Sequence, residues 1–157
     1  MKKLFIIVAF VATTFSQNLF AQNNTTTKPS LLSAYYDLKN ALVAGNSEDA
    51  NRHALQMAGM INTIDSQKVN LQTREELLTD ATHISKSKDI HHQREHFARL
   101  STNLFTVAKA EKLSDQPIYY DYCPMKKSYW LSSTAAIKNP YFGNQMLTCG
   151  KVSETLK

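Results

Sequence analysis

Four sulfur-bearing side chains near the end of the chain have the residue types and spacing that point most directly to chemistry. They form a Cys-x-Met pair, Cys123 and Met125, and a Met-x-x-Cys pair, Met146 and Cys149. Thiolates and thioethers are soft ligands that suit Cu(I), whereas oxygen-preferring cations select carboxylates and carbonyls. The four sulfurs therefore predict a soft-metal site, with Cu(I) or Ag(I) as the ion.

The spacing within each pair allows its two sulfurs to lie on one side of the backbone. Residues two apart share one face of a strand, which suits Cys123 and Met125. Residues three apart come together on a helical turn, which suits Met146 and Cys149. A return of the chain through the Asn-Pro-Tyr-Phe-Gly stretch at 139–143 would bring the two pairs together.

The same cysteines have a purely structural alternative. Cys123 and Cys149 are an even pair that an oxidising compartment would allow to form a disulfide, with both methionines in the core. In the chain-entropy treatment, closing a loop of this size stabilises a fold by about 3–4 kcal/mol. The residues alone leave both alternatives open.

Histidines supply the second group of candidate ligands. His92 and His96 are four residues apart on a predicted helix, which places both rings on one face. His96 precedes the core-facing Phe97, so we expect it to point toward the C-terminal segment and to add a nitrogen ligand to the sulfurs. The simpler interpretation of the other four is a solvated polar position for each: His53, His83, His91 and His92.

Signatures of catalysis and of nucleic-acid binding are missing from the sequence. It has no His-Glu-x-x-His motif, no Gly-rich phosphate loop and no Ser-His-Asp context. The formal charge of +5 includes Lys2 and Lys3, and the other basic residues are interspersed with acids rather than grouped in a stripe. We therefore predict a protein that is not an enzyme and that binds no nucleic acid.

The elements that must position these residues follow from hydrophobic periodicity. Apolar side chains recur at helical spacing in four stretches, of which the first ends at Gly45. Ser47 and Asp89 are the predicted N-caps of the second and fourth helices. Short connections then favour an all-α fold, an antiparallel bundle of about four helices over residues 31–112.

The helical pattern is lost in residues 113–157. The stretch from Ile118 to Tyr122 is aromatic and β-prone, and Pro124 and Pro140 interrupt regular structure after it. We predict a compact, irregular Cys/Met/aromatic cap on one end of the bundle, with a short β-hairpin as an alternative. Residues 31–157 then form a single domain.

The beginning of the chain has the pattern of a secretory signal peptide over residues 1–21. Lys2 and Lys3 precede a short apolar run, and Ala21 is a small residue at the expected cleavage point. Residues 22–30 are polar and predict a flexible leader. We expect a soluble mature protein in the periplasm or outside the cell, with no membrane insertion after cleavage. The alternative is a retained anchor helix, for which the run is shorter than the roughly 20 apolar residues required.

Five sequence motifs together resemble one bacterial family. They are the Tyr-Cys-Pro-Met at 122–125, the Tyr-Trp-Leu-Ser at 129–132, the Ile-Lys-Asn-Pro-Tyr-Phe-Gly at 137–143, the Met-Leu-Thr-Cys-Gly at 146–150 and the His-rich run at 89–97. This pattern is similar to the family catalogued as domain of unknown function 3347. Its members are exported single domains, and the domain is also fused to periplasmic adaptor subunits of copper/silver-type efflux pumps.

The resemblance implies a role in metal handling. It assigns the ligands to Cys123, Met125, Met146 and Cys149, with His96 as an additional nitrogen ligand. It also implies a heavy-metal efflux adaptor, or another periplasmic metal carrier, as the partner. Members often have a longer stretch after the Cys-Pro-Met, and this shortening sets Met125 apart from the other sulfurs.

Two functions from different classes follow from these observations. The first is an exported soft-metal binder that buffers Cu(I) or Ag(I), or delivers the ion as a chaperone linked to heavy-metal efflux. The second is a non-enzymatic structural or interaction module with a Cys123–Cys149 disulfide. In that alternative the aromatic cap would form a docking surface made of Tyr119, Tyr120, Trp130, Tyr141 and Phe142.

Overall fold

The computed structural model describes residues 30–64 and 69–157. The predicted signal peptide, and all but the last residue of the predicted leader, lie outside the described residues. Four helices come first, namely α1 (Leu31–Ala44), α2 (Ser47–Asn62), α3 (Leu71–Lys86) and α4 (Ile90–Ala110). Three strands follow, namely β1 (Ile118–Cys123), β2 (Ser128–Ser132) and β3 (Lys151–Leu156), with a 3-10 turn at Gly143–Gln145.

Side chains that accept free backbone N–H groups fix the starts of the helices. Asp89 caps α4 as predicted, since its carboxylate accepts the His91 N–H at 2.9 Å. The cap of α2 lies one residue earlier than predicted. The Asn46 side chain accepts two N–H groups of the first turn, and Ser47 becomes the first helical residue.

The bundle of four helices that the periodicity predicted is confirmed. Each helix packs on the next one along the chain. The largest side chains that the helices bury completely come from all four of them: Tyr35, Leu38, Leu42, Met57, Ile61, Leu77, Ile84, Phe97, Leu100 and Leu104. Among the described helices, none combines the length and the apolar character that a membrane span requires.

The predicted all-α class is confirmed only in part, because the protein is mostly helical but its C-terminal cap is a three-stranded antiparallel sheet. The strand order is β2-β1-β3. The β1–β2 hairpin, which the sequence offered as an alternative, is present, with Cys123 opposite Ser128. β3 was not predicted because nearly all its side chains are exposed. Main-chain pairing with β1, rather than a buried face, holds this strand in place.

The sheet and the bundle share one core. The Tyr35 hydroxyl on α1 contacts the Ser101 hydroxyl of α4 at 2.7 Å and accepts the backbone N–H of Leu131 in β2 at 3.0 Å. Phe105 of α4 stacks on Tyr120 of β1 with ring centroids 3.6 Å apart. The sheet is therefore held rigidly on the helices that carry the candidate histidines.

Candidate metal centres

The fold brings the two cysteines into contact. Cys123 is the last residue of β1, and Cys149 precedes the neighbouring strand β3. Both are free thiols, and the Cys123 sulfur is near enough to Cys149 to affect its protonation. Burial, and then the adjacent Cys123 sulfur, raise the pKa of the Cys149 thiol, against a smaller opposing effect of the Met125 backbone. Two soft donors thus lie side by side, and each thiol must lose its proton to bind a metal.

One buried asparagine holds the two cysteine segments together. The Asn139 side-chain N–H₂ donates to the Cys123 sulfur at 3.1 Å and to the Cys149 carbonyl at 2.6 Å. Its side-chain oxygen accepts the backbone N–H of Tyr141 at 2.8 Å, and its own backbone N–H donates to the Leu147 carbonyl at 2.8 Å. Asn139 therefore acts as a clamp that determines the position of both thiols.

Gly150, next to Cys149, permits the close approach of the two segments. Its φ is +155°, and a Cβ at this position would lie 2.7 Å from the Trp130 ring and 3.0 Å from the Tyr122 carbonyl oxygen. A side chain does not fit there without displacing backbone or a buried aromatic ring. The glycine thus lets Cys149 lie against the end of β1.

The two methionines border the cysteine pair through their backbones. Met125 lies in the turn between β1 and β2, with its side chain 64% exposed. Met146 is partly buried, and its carbonyl accepts the Cys149 N–H at 3.0 Å, in the turn that the Met-x-x-Cys spacing predicted. Each thioether sits on an unbranched side chain that adapts easily to a nearby ion.

Three of the five aromatic residues of the predicted docking surface are core residues. Trp130, Tyr141 and Tyr120 are 0%, 4% and 8% exposed, and Trp130 packs edge-on against Tyr141. These three rings are not available to a docking partner. The docking surface that the structural alternative required is therefore reduced to the partly exposed Tyr119 and Phe142.

The second cluster of candidate ligands lies between α3 and α4. His83 of α3 approaches His92 and His96 of α4, and one ligand atom from each ring lies within 4.8 Å of the others. The His83 and His96 rings stack with centroids 4.2 Å apart, and His92 is tilted against both. His83 is exposed, His92 is partly buried and His96 is buried. The three imidazoles thus form a patch that runs from solvent into the core.

Asp80 orients the buried ring of this cluster. Its carboxylate contacts His96 Nδ1 at 2.8 Å and also receives two N–H groups of Arg99, the closer at 2.8 Å. A carboxylate accepts hydrogen bonds, so the contact with Asp80 favours the tautomer with the proton on Nδ1 and a free lone pair on Nε2, while Nη2 of Arg99 also lies 2.7 Å from Nδ1. Burial lowers the pKa of His96, opposed by the hydrogen bond to Asp80 and assisted to a smaller extent by the charge of Arg99. The lowered pKa favours the neutral ring, which is the form that binds a metal.

A buried glutamine fixes the short loop that connects the two helices. The Gln93 side-chain N–H₂ donates to the Ser87 carbonyl at 2.7 Å, to the Ser47 carbonyl at 2.9 Å and to the Ile84 carbonyl at 3.3 Å. These bonds tie the end of α3 and the start of α2 to α4. These bonds therefore fix the position of His83 relative to His92 and His96 across the loop.

The structure divides the predicted site residues between two places. It brings Cys123 and Cys149 together, with Met125 and Met146 beside them, whereas His96 contacts α3 and the neighbouring side chains of α4. Among the described residues, no cysteine belongs to the histidine group. His83, which the sequence placed in solvent, is the member that residue-by-residue reasoning missed.

Two further features contain no candidate ligand, and the first borders the histidine cluster because Asp80 and Arg99 line it. A groove of about 1000 Å³ runs between α3, α4 and the β1–β2 turn, and no histidine, cysteine or methionine is among the described residues that line it. Asp121 of β1 is 0% exposed, and neither of its carboxyl oxygens has a hydrogen-bond partner within the described part of the chain. Burial raises its pKa to about 7, opposed by the charge of Lys39.

Comparison with protein families gives one match. The family model described as "Protein of unknown function (DUF3347)" matches residues 31–116, more than half of the 157-residue chain. The matched stretch spans α1 to α4 and ends before β1, so it contains the histidine cluster but not the cysteine pair. Comparisons with curated proteins and with solved structures gave no match.

Proposed function

Because the chain belongs to the DUF3347 family, whose description assigns no activity, its role must be inferred from its own side chains, and we propose that it is an exported protein that binds Cu(I) or Ag(I). The observation that carries this proposal is the proximity of two free cysteines, Cys123 and Cys149, whose segments are joined by the Asn139 side chain. Two neighbouring thiolates suit a soft monovalent ion.

The neighbouring methionines suit such an ion as additional ligands. Met125 is exposed and Met146 is partly buried, and both flank Cys149. A thioether is a neutral soft ligand, so it can complete the coordination and leave again without the loss of a proton. The ion would then pass to a partner by ligand replacement, with a thioether of this chain exchanged for one of the partner.

The proposal includes a location and a role in the cell. The basic and apolar pattern of residues 1–21 supports export to the periplasm or beyond. There the protein would act without catalysis, as a buffer or a chaperone. Its partner would be a heavy-metal efflux adaptor or another periplasmic metal carrier.

The contact between the two sulfurs also favours one competing function. Oxidation would join Cys123 and Cys149 into a disulfide with only a small movement, since their segments are already clamped by Asn139. The protein would then be a structural or interaction module with a permanent Cys123–Cys149 disulfide bond. The redox state of the pair in the cell separates the two functions.

Counting free thiols tests the proposal. The full protein is prepared from the periplasm without reductant, and its accessible and denatured-state thiols are labelled with and without added Cu(I). We expect two labelled thiols per denatured chain, which become protected in the folded protein when Cu(I) is present. Two thiols that Cu(I) does not protect, or a chain without free thiols under all non-reducing conditions, would contradict the proposal.

A further inference from the structure

The three histidines between α3 and α4 form a second donor set with a different chemistry from the cysteine pair. Imidazole nitrogen is a borderline ligand that suits Zn(II), Cu(II) and Ni(II), whereas thiolate and thioether select Cu(I). His83, His92 and His96 have ligand atoms within 4.8 Å of one another. Three imidazoles on one ion, with an open position for water, are a common arrangement for zinc.

The cluster has the supporting shell that metal-binding histidines require. A ligating histidine usually donates its second N–H to a carboxylate, which fixes the tautomer and turns the free nitrogen to the ion. The Asp80 carboxylate lies 2.8 Å from Nδ1 of His96, the position that such a carboxylate takes, and Asp80 is itself only 3% exposed. Arg99 holds the same carboxylate oxygen from the solvent side. The buried ring is thus oriented before any ion arrives.

The remaining two rings can adjust to the ion. Nitrogens bound to one tetrahedral zinc are roughly 3.3 Å apart, given Zn–N bonds of about 2.0–2.1 Å, so the rings must close from their present separation of up to 4.8 Å. His83 is exposed, so it can turn out of its stack on His96. An open cleft beside His83 and His92 gives solvent access to the ion.

From this geometry we infer that His83, His92 and His96 form a binding site for a borderline divalent transition-metal ion, with water as the fourth ligand and Asp80 as the positioning residue. The site is separate from the cysteine pair and does not depend on the redox state of the thiols. Each chain would then offer a nitrogen site for a divalent ion and a sulfur site for a monovalent ion.

The test uses the full chain with both cysteines replaced, C123S/C149S, so that the sulfur site cannot contribute. Zn(II) is titrated against a chromophoric chelator, and we expect one ion per chain. His83→Asn, an exposed change, should weaken Zn(II) binding at least tenfold, and so should His92→Asn. Asp80→Asn should weaken it about 10- to 100-fold while the stoichiometry stays at one. His91→Asn, an exposed histidine on the same helix, is the matched control and should leave the affinity unchanged.

Thermal melting shows whether each variant is folded. When the melts are repeated with Zn(II), only the protein that keeps His83, His92 and His96 should gain stability from the ion. A folded C123S/C149S protein that binds no Zn(II) would overturn the inference, and so would equal effects of His91→Asn and His83→Asn. Neither result tests Cu(I) binding by the cysteines, because the C123S/C149S variant contains no cysteine.

Discussion

The side-chain amide of Asn139 donates a hydrogen bond to the Cys123 sulfur at 3.1 Å. The same amide reaches the Cys149 carbonyl, so a single buried residue contacts both cysteine segments. The geometry of the proposed Cu(I) site therefore depends on a residue that is not itself a ligand.

Asn139→Ala should loosen the cysteine pair and destabilise the cap. The change leaves the buried N–H of Tyr141 and the Cys149 carbonyl without their partner, which costs about 1–3 kcal/mol. Cu(I) affinity should fall about tenfold, as for other residues that orient metal ligands. Urea unfolding and a Cu(I) competition titration measure the two effects. Asn144→Ala, at an exposed position, is the control; if both variants behave alike, Asn139 has no special role.

Gly150→Ala should separate β3 from the end of β1. The new Cβ would lie 2.7 Å from the Trp130 ring, at a φ that favours glycine. Overpacking of this kind costs about 1–3 kcal/mol. Gly59→Ala is the matched control, because its Cβ would meet nothing within 4 Å and its helical backbone favours alanine by up to about 1 kcal/mol. Thermal melting of both variants should give shifts of opposite sign, and a neutral Gly150→Ala would contradict the packing described for Cys149.

The two methionines should respond differently to replacement by leucine. Met146→Leu keeps nearly the same volume and should cost little stability, yet it removes a soft ligand and should weaken Cu(I) binding measurably. Met125→Leu should show a smaller effect, because its side chain is 64% exposed. Zn(II) binding should be unchanged in both, since zinc rarely accepts thioethers. Met60→Leu on α2 is the control, and a Cu(I) affinity equal to the control in both variants would remove the thioethers from the site.

The buried carboxyl of Asp121 should make stability depend on pH. Its pKa rises from 3.8 to about 7 in the folded state, so the folded protein holds more protons than the unfolded chain between these values. Stability should therefore fall as pH rises through that window, by up to roughly 4 kcal/mol. Asp121→Asn should remove this slope, and the exposed Asp115→Asn should leave it intact. Unfolding curves at pH 5 and pH 8 measure it, and identical slopes in wild type and Asp121→Asn would contradict the assignment.

The helical part of the fold was predictable because its signals are local. The apolar spacing before Gly45 and the cap at Asp89 depend on residues within one or two turns, and the structure confirms both boundaries. β3 was not predictable in this way. Its residues show no buried face, and their strand conformation comes from pairing with β1, which is distant in the sequence.

The candidate sites show the same contrast between local and distant information. The sequence predicted that Cys123 and Cys149 come together, and the structure places them next to each other. His96 was expected to point toward the C-terminal segment, whereas its ring is buried and contacts Asp80 of α3. His83 and His92 flank the loop between α3 and α4 at similar distances, so an antiparallel hairpin of helices sets them opposite each other. That symmetry was the available signal for the missed histidine.

Cu(I) titration of the fully reduced protein tests the central claim most directly. The wild-type chain, Cys123→Ser and Cys149→Ser are each titrated under anaerobic conditions against a chromophoric Cu(I) chelator. We predict one tightly bound Cu(I) per wild-type chain and the loss of tight binding in each variant, because a hydroxyl is a hard replacement for a soft thiolate. A reduced wild-type protein that takes no Cu(I) from the chelator, or serine variants that bind as tightly as wild type, would contradict the claim.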